Sequence, residues 1–241
     1  MNVSVVVPAF NEERGLAASL RAIRAGMTTL EDRGWWSELI VCDNNSTDCT
    51  AAVAREHGAA VVFEPINQIS RARNAGAGRA RGDWLVFVDA DSHPSRALFA
   101  EMAGVIEEGR CLAGGSTVRL DQSDPLSSLV VAGWNAVSRI MHWAAGSFIF
   151  CEAHVFRELG GFSLELYAAE EIELFRRLKR VALQRRRTIA ILHRHPLETS
   201  ARKARLYTAR EAFGFLLKTV VLGGRPLQNP ADCYQWYDGR R

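Results

Sequence analysis

Residues 70–94 read SRARNAGAGRARGDWLVFVDADSHP, and the architecture turns on this stretch. Trp84-Leu85-Val86-Phe87-Val88 is an unbroken apolar run of strand length, the pattern of a strand buried on both faces. Asp89-Ala90-Asp91 ends it. Side chains two apart on a strand point the same way, so Asp89 and Asp91 are expected side by side where the chain leaves the sheet. Ligands of open α/β sheets bind at that carboxyl edge. Two adjacent carboxylates repel unless a cation lies between them. A hard divalent metal that keeps positions open for phosphate oxygens suits the pair. The competing reading is a loop with two solvated acids.

Upstream, Val3-Ser4-Val5-Val6-Val7 reads as a buried strand closed by Pro8. Asn11 is expected to cap a helix with Leu16, Leu20, Ile23 and Met27 at helical spacing. Glu12 and Glu13 then fall in its first turn, where the helix dipole favours them. Leu39-Ile40-Val41-Cys42 is the second strand and delivers Asp43 to the sheet edge, ahead of Asn44-Asn45-Ser46-Thr47-Asp48. Ser46 or Thr47 is expected to cap a helix that stops near His57 and Gly58. Residues 59–63 read as a third strand, and Ser70 as the cap of a small-residue helix ending at Gly82. Strands alternating with helices in this way argue for a parallel sheet with right-handed crossovers, a Rossmann-like nucleotide-binding unit. No G-x-G-x-x-G follows the first strand and no Walker lysine motif occurs, so no glycine-rich loop holds the phosphates. Asp43 offers another handle, since a carboxylate accepts an N–H from a base or a ribose hydroxyl. It also suits a plain turn.

Downstream, 97–108 reads as a helix, 111–120 as a strand, 126–141 as a helix with Trp134 and Trp143 nearby, and 147–151 as a strand. Gly160-Gly161-Phe162 is a loop. In 168–182, Leu174, Phe175, Leu178, Val181 and Ala182 form one apolar stripe. Carried back one turn, the stripe meets Glu171, an inward carboxylate and candidate general base. Burial would raise its pKa and the helix N-terminus would lower it. Glu170 answers to dipole compensation, and Glu173 pairs outward with Arg177. Beyond lie Arg185-Arg186-Arg187, His193-Arg194-His195-Pro196, Arg202 and Lys203. His195 is a candidate further metal ligand. Arg202 and Lys203 are candidates to neutralise a diphosphate. Their alternatives are a satisfied histidine and a solvated charge run.

The chain has 241 residues and a net charge of +3, too small to argue for nucleic acid. Lysine occurs only at 179, 203 and 218, which decides nothing by itself. Cys42, Cys49, Cys111, Cys151 and Cys233 are scattered and odd in number, which points to neither a zinc knuckle nor a disulfide framework. No run reaches the length of a membrane span, and the chain opens directly on a strand. The expected location is cytoplasmic, including the cytoplasmic face of a membrane, where the basic C-terminal third would meet anionic lipid.

Taken together these residues resemble the family 2 glycosyltransferases of GT-A fold. Val5-Val6-Val7-Pro8-Ala9-Phe10-Asn11-Glu12-Glu13 resembles the family's opening V-x-P-x-[YF]-N-E, and Asp43-Asn44-Asn45-Ser46-Thr47-Asp48 its D-D-G-S-T-D turn. Ala72-Arg73-Asn74, Gly82-Asp83 and Asp89-Ala90-Asp91 are similar to its A-R-N, G-[DE] and D-x-D elements. Gly160-Gly161-Phe162 and Glu170-Glu171-Ile172-Glu173-Leu174 are similar to its G-G-F and E-D-x-x-L. The set runs in the family's order over most of residues 1–205.

The resemblance implies a single α/β GT-A domain over 1–241. Residues 1–94 would bind the nucleotide-sugar, 95–205 the acceptor, and 206–241 would form a C-terminal helical tail. Pro8, Ala9, Phe10, Glu12 and Asp43 would contact the nucleotide, and Arg73 would lie near the donor phosphates. Asp89, Ala90 and Asp91 would position the donor and a divalent metal, Mg or Mn. Glu171 or its neighbour Glu170 would deprotonate an acceptor hydroxyl, with inversion at the sugar. Asn44 departs from the family's second Asp, and Glu171 from its usual Asp. The Q-x-x-R-W motif of processive synthases is absent, so one sugar per event is expected. The donor would be a UDP- or GDP-sugar, and the acceptor a lipid-linked molecule, a saccharide or a small molecule. Two other classes compete. One is a Mg-dependent phosphatase of haloacid dehalogenase type, which also places D-x-D after a strand. The other is a decayed nucleotide-binding scaffold at a membrane surface.

Overall fold

A computed structural model describes residues 1–121, 125–144, 146–200, 225–229 and 231–233, without the side chains of 125–128, 225 and 226. In the first half, β1 (Asn2–Ala9), β2 (Trp36–Asp43), β3 (Ala60–Phe63) and β4 (Trp84–Val88) alternate with α1 (Leu16–Glu31), α2 (Thr50–Glu56) and α3 (Ile69–Arg79). β1 lies parallel to both β2 and β4, and β2 parallel to β3. The second half supplies β5 (Ser92–His93), α4 (Arg96–Glu107), β6 (Cys111–Leu120), α5 (Pro125–Met141), β7 (Phe148–Glu152), α6 (Ala153–Glu158), α7 (Glu170–Gln184) and β8 (Thr188–Thr199). All join one eight-stranded sheet in the order β3-β2-β1-β4-β7-β6-β8-β5. β7 runs antiparallel to β4 and to β6, so the mostly parallel sheet turns mixed there.

The alternation of β1 divides the core. Val3, Val5 and Val7 face Leu16, Leu20 and Ile23 of α1 and Leu98, Phe99 and Met102 of α4. Val6 faces the other way with Leu85 and Phe87, against Phe156 of α6 and Leu174, Phe175 and Leu178 of α7. Phe87 meets the Phe156 and Phe162 rings at 5.2 and 5.1 Å between centroids. The two helices of the first face touch at Gly26, where a Cβ would sit 2.3 Å from the Phe99 ring.

Several local expectations yield to longer-range contacts. β1 continues through Pro8 to Ala9; its pairing with β4 has ended at Val6, so Pro8 is paired on the β2 side alone. Asn11 does not cap α1. It adopts φ 52, and its Oδ1 accepts from Thr47 N at 2.8 Å. α1 starts only after Gly15, so Glu12 and Glu13 precede the helix. Neither Ser46 nor Thr47 caps α2; Asp48 Oδ1 accepts from Thr50 N at 2.9 Å instead. Ser70 is buried inside α3, which begins after Gln68 and ends at Arg79. Gly58 does terminate α2, at φ +72.

β8 was not legible in the sequence, and its course moves His195 away from the expected metal. Ile189, Leu192 and Leu197 are its buried residues. Its register against β6 slips between the Ser116–Leu192 and Val118–Leu197 pairs. His193, Arg194, His195 and Pro196 bulge out into solvent there. The backbone N–H groups of His193, Arg194 and His195 donate to the Glu101 carboxylate at 3.3, 3.4 and 3.2 Å. Contact with the 89–91 turn comes only later, where Ser200 N donates to Asp91 O. Arg202 and Lys203 lie outside the described residues, as does most of 206–241. Arg225–Gln228 is a 3-10 turn whose Leu227 carbonyl accepts from Tyr167 N.

Candidate active site

The strand β4 stops at Val88, so Asp89 and Asp91 are not alternate residues of a strand. Residues 89–92 form a tight turn instead, with Ser92 N donating to Asp89 O at 3.1 Å. Asp89 and Asp91 are half-buried, and Ala90 is buried between them. The expected pairing of the two carboxylates by strand alternation therefore fails. They remain neighbours at the carboxyl edge of the sheet through the turn.

Arg73 is the hub of this edge. The residue is 1% exposed. Nη2 donates to Asp89 Oδ1 at 2.9 Å and to Gly146 O at 3.0 Å, and Nη1 donates to Glu170 Oε1 at 2.6 Å. The cation lies 5.1 Å over the Phe162 ring. Burial alone would lower its pKa, but Asp89, Glu170 and Glu171 outweigh that and raise it. Arg73 is thus committed to protein oxygens, and joins the end of β4 to the start of α7. These contacts position protein groups at the edge where the resemblance places the donor phosphates.

The helix α7 begins abruptly at Glu170, after Ala169 at φ 61, a left-handed conformation that costs a residue with a Cβ. Both glutamates reach the cluster. Contrary to the stripe argument, Glu170 is the more buried, at 4% exposure, and serves Arg73. Glu171 is half-buried beside Gly146, where a Cβ would be 3.6 Å from its Oε1. Burial first, then the charges of Glu170 and Asp89, push the Glu171 carboxyl up to about 8 against the opposing pull of Arg73. Glu173 pairs with Arg177 as expected, at 2.6 Å. Arg177 also donates to the Leu159 and Gly161 carbonyls at 2.7 and 2.8 Å.

Neighbours of Arg73 brace the same edge. Asn74 donates to Phe162 O at 2.8 Å and accepts from Phe162 N at 2.9 Å, fixing the Gly160-Gly161-Phe162 loop. Buried Gln68 donates to the Leu164 and Leu166 carbonyls, both at 2.9 Å, and so ties α3 to the approach to α7. Gln68 also accepts locally from Arg71 Nε at 3.1 Å, but the partners that tie both residues into this edge lie some ninety positions away. The A-R-N motif singles out Asn74 but not its partner, and no sequence pattern announces Gln68. Trp134 is partly buried against the core, and Trp143 packs under Lys179 at 5.3 Å.

The loops after β1 and β2 are laced together at the same edge. Asn11 N donates to Ser46 Oγ, Glu12 N to Thr50 Oγ1, and Glu13 N to Asp48 Oδ2, at 2.9, 2.8 and 3.1 Å. Asp43, 7% exposed, accepts from Ser46 N through Oδ1 at 3.0 Å, the turn role that the sequence also allowed. Asn44, the departure from the family's Asp, has a local reason. Its amide donates to the Glu64 and Ile66 carbonyls at 3.3 and 2.6 Å, while Oδ1 accepts from Gln68 N at 2.9 Å. A carboxylate has no proton for those carbonyls. Asn44→Asp is therefore expected to cost about 1 kcal/mol or more of stability near neutral pH, by replacing the donor to two part-buried carbonyls with a buried charge. Thermal melts read this. A melting temperature equal to that of the parent chain would show that the 64–68 loop does not depend on the amide.

Comparison with known proteins fits this geometry. Glycosyl transferase family 2 matches residues 4–147, more than half of the chain, and the chain belongs to that family. An uncharacterized glycosyltransferase of Mycobacterium tuberculosis is 38% identical over 113 residues, 47% of this chain and 47% of its own length. The low-salt glycan biosynthesis hexosyltransferase Agl6 of Haloferax volcanii is 37% identical over 89 residues, 37% of this chain and 21% of its own. The chain thus aligns with about half, or less, of the length of these relatives. Among solved structures, S. aureus TarS 1–349 in complex with UDP-GlcNAc has a TM-score of 0.64 at 20% identity, over 83% of this chain and 58% of that one. Glucosyl-3-phosphoglycerate synthase from Mycobacterium tuberculosis, in complex with Mn2+, UDP and phosphoglyceric acid, has a TM-score of 0.61 at 20% identity, over 91% and 76%. The fold is GT-A.

Proposed function

We propose that this chain transfers one sugar from a nucleotide-sugar, UDP- or GDP-linked, to an acceptor hydroxyl, with inversion and with a divalent metal. The observation that carries the reading is the Arg73 cluster. It gathers Asp89 from the 89–91 turn and Glu170-Glu171 from the start of α7 at one sheet edge. The carboxyl ends of β1 and β2 supply the nucleotide side: Pro8 and Ala9 close β1, Phe10 and Glu12 follow in its loop, and Asp43 closes β2.

The donor set suits a metal that arrives with phosphate. Asp89 gives one oxygen to Arg73, and among the described residues no three His, Cys, Asp or Glu side chains gather to hold a cation. One or two carboxylates plus phosphate oxygens and water is the usual arrangement for Mg. Asp91, with Asp89, would hold such an ion, which would offset charge on the departing diphosphate. Glu171 takes the acceptor proton. Arg73 and Glu170 fix the frame around it, and Gly146, lacking a side chain, leaves the carboxylate approachable. The phosphatase alternative needs its first Asp free as a nucleophile, and Asp89 is tied to Arg73. The relative named undecaprenyl-phosphate 4-deoxy-4-formamido-L-arabinose transferase, from Serratia proteamaculans, is 31% identical over 129 residues. It keeps a lipid-linked acceptor among the chemistries to try.

Calorimetry of UDP and GDP with and without Mn tests the reading. Tighter binding with Mn is expected, and Asp91→Asn should remove most of that gain while leaving metal-free binding as it was. Absence of binding by either nucleotide or any nucleotide-sugar, with metal present, would sink it.

A further inference from the structure

The helix α5 has two apolar faces, and among the described residues only one has a partner. Val131 and Trp134 pack on the core. Asn135 holds both backbone polar groups of Val118, and Ser138 donates to Trp143 O. On the other face Leu129, Val130, Val137, Ile140 and Met141 are 70, 65, 42, 76 and 43% exposed. Residues 125–144 contain no Asp or Glu, and Arg139 is their one formal charge. A solvent-facing helix surface of a globular protein is normally polar, so an apolar face that the described residues leave open points to an apolar occupant.

The charges around it narrow the choice. The helix α7 abuts the C-terminal end of α5: Lys179 donates to Met141 O and lies over the Trp143 ring. On the same side of α7, one turn apart, stand exposed Arg176 and Arg180, followed by Leu183 at 82% exposure. Among the described residues no carboxylate pairs with Arg139, Arg176 or Arg180. A second copy docked through a two-fold axis would set this patch against itself, arginine facing arginine. A surface of anionic phospholipid meets both demands. It receives the apolar face at the headgroup–acyl boundary and the arginines at its phosphates. At 17 residues α5 would lie in that plane, and no described helix is long and apolar enough to cross a membrane.

We propose that α5, with Arg139, Arg176 and Arg180, is a docking face for a membrane surface rich in anionic phospholipid. The proposal stands apart from the sugar-transfer reading, because it concerns a face rather than the carboxylate site. Flotation of the full chain with vesicles tests it. The chain should float with phosphatidylglycerol–phosphatidylcholine vesicles at low salt, and at least tenfold more weakly with phosphatidylcholine alone. Leu129→Glu with Ile140→Glu should cut binding at least tenfold with an unchanged melting temperature, both side chains being exposed. Arg176→Glu with Arg180→Glu leaves the apolar face whole and should lose about fivefold for each cation removed. The proposal is overturned by failure to float with any vesicle, or by binding that neither pair of substitutions weakens. It is overturned equally by a concentration-dependent dimer that Ile140→Glu dissolves while vesicle binding is absent. UDP binding by calorimetry, measured alongside, separates its failure from failure of the transferase reading.

Discussion

Glu171→Gln is expected to lower turnover about a hundredfold or more, the scale of a lost general base, with nucleoside diphosphate affinity retained. Glutamine keeps the shape of the side chain and removes the proton acceptor. The carboxyl is half-buried, and burial together with Glu170 and Asp89 raises its pKa to about 8. A base with that proton affinity takes a hydroxyl proton more readily than an ordinary carboxylate, once ionised. The parent rate should therefore climb as pH rises through the raised pKa, and the residual rate of the variant should not. Stability should show the matching sign. Between the ordinary carboxylate range and about 8 the folded chain binds more protons than the unfolded one, so parent stability falls as pH rises through that window. Glu171→Gln escapes the fall and should gain on the parent at pH 9 relative to pH 5. Glu170→Gln is a different lesion: it strips Arg73 of a partner and should cost less in turnover. Near-normal turnover of Glu171→Gln with the parent pH profile would remove Glu171 from the base role.

How much of this was readable before the coordinates depends on the range of the contacts involved. The bounds of β4 follow from an uninterrupted apolar run and nearly all of α5 from helical spacing, signals held within each segment. Asn11 and Ser70 obey sound local rules for caps, yet tertiary bonding spends Asn11 on Thr47 and buries Ser70 inside α3. β8 hid because His193–Pro196 interrupts its apolar run, and the Glu101 carboxylate that accepts the bulge sits far away in sequence, on α4. Asp89, Asp91, Glu170 and Glu171 were legible as acids at element ends. Which of them Arg73 would claim was not, since that depends on α3, β4 and α7 meeting in space. The neutral amide of Asn44, a departure in sequence, becomes the residue of choice only when the Glu64 and Ile66 carbonyls are seen above it.

Removing the hub should produce the largest loss of stability. Arg73→Met keeps a long apolar stem over Phe162 but leaves Glu170, 4% exposed, without its cation and Gly146 O without its donor. Breaking a buried pair from one side costs about 3–5 kcal/mol, because the surviving charge is stranded. For a chain of this length that lowers the melting temperature by about 10 °C. Adding Glu170→Gln to Arg73→Met removes the stranded charge and should restore part of the stability, a coupling that the double-mutant cycle measures. Arg185→Met is the control: it breaks the exposed pair with Glu158, whose 2.5 Å contact lies in solvent, and should cost at most about 1 kcal/mol. If Arg73→Met melts no lower than Arg185→Met, or the second substitution restores nothing, the edge is held by backbone packing and Arg73 is not the residue that positions Glu170.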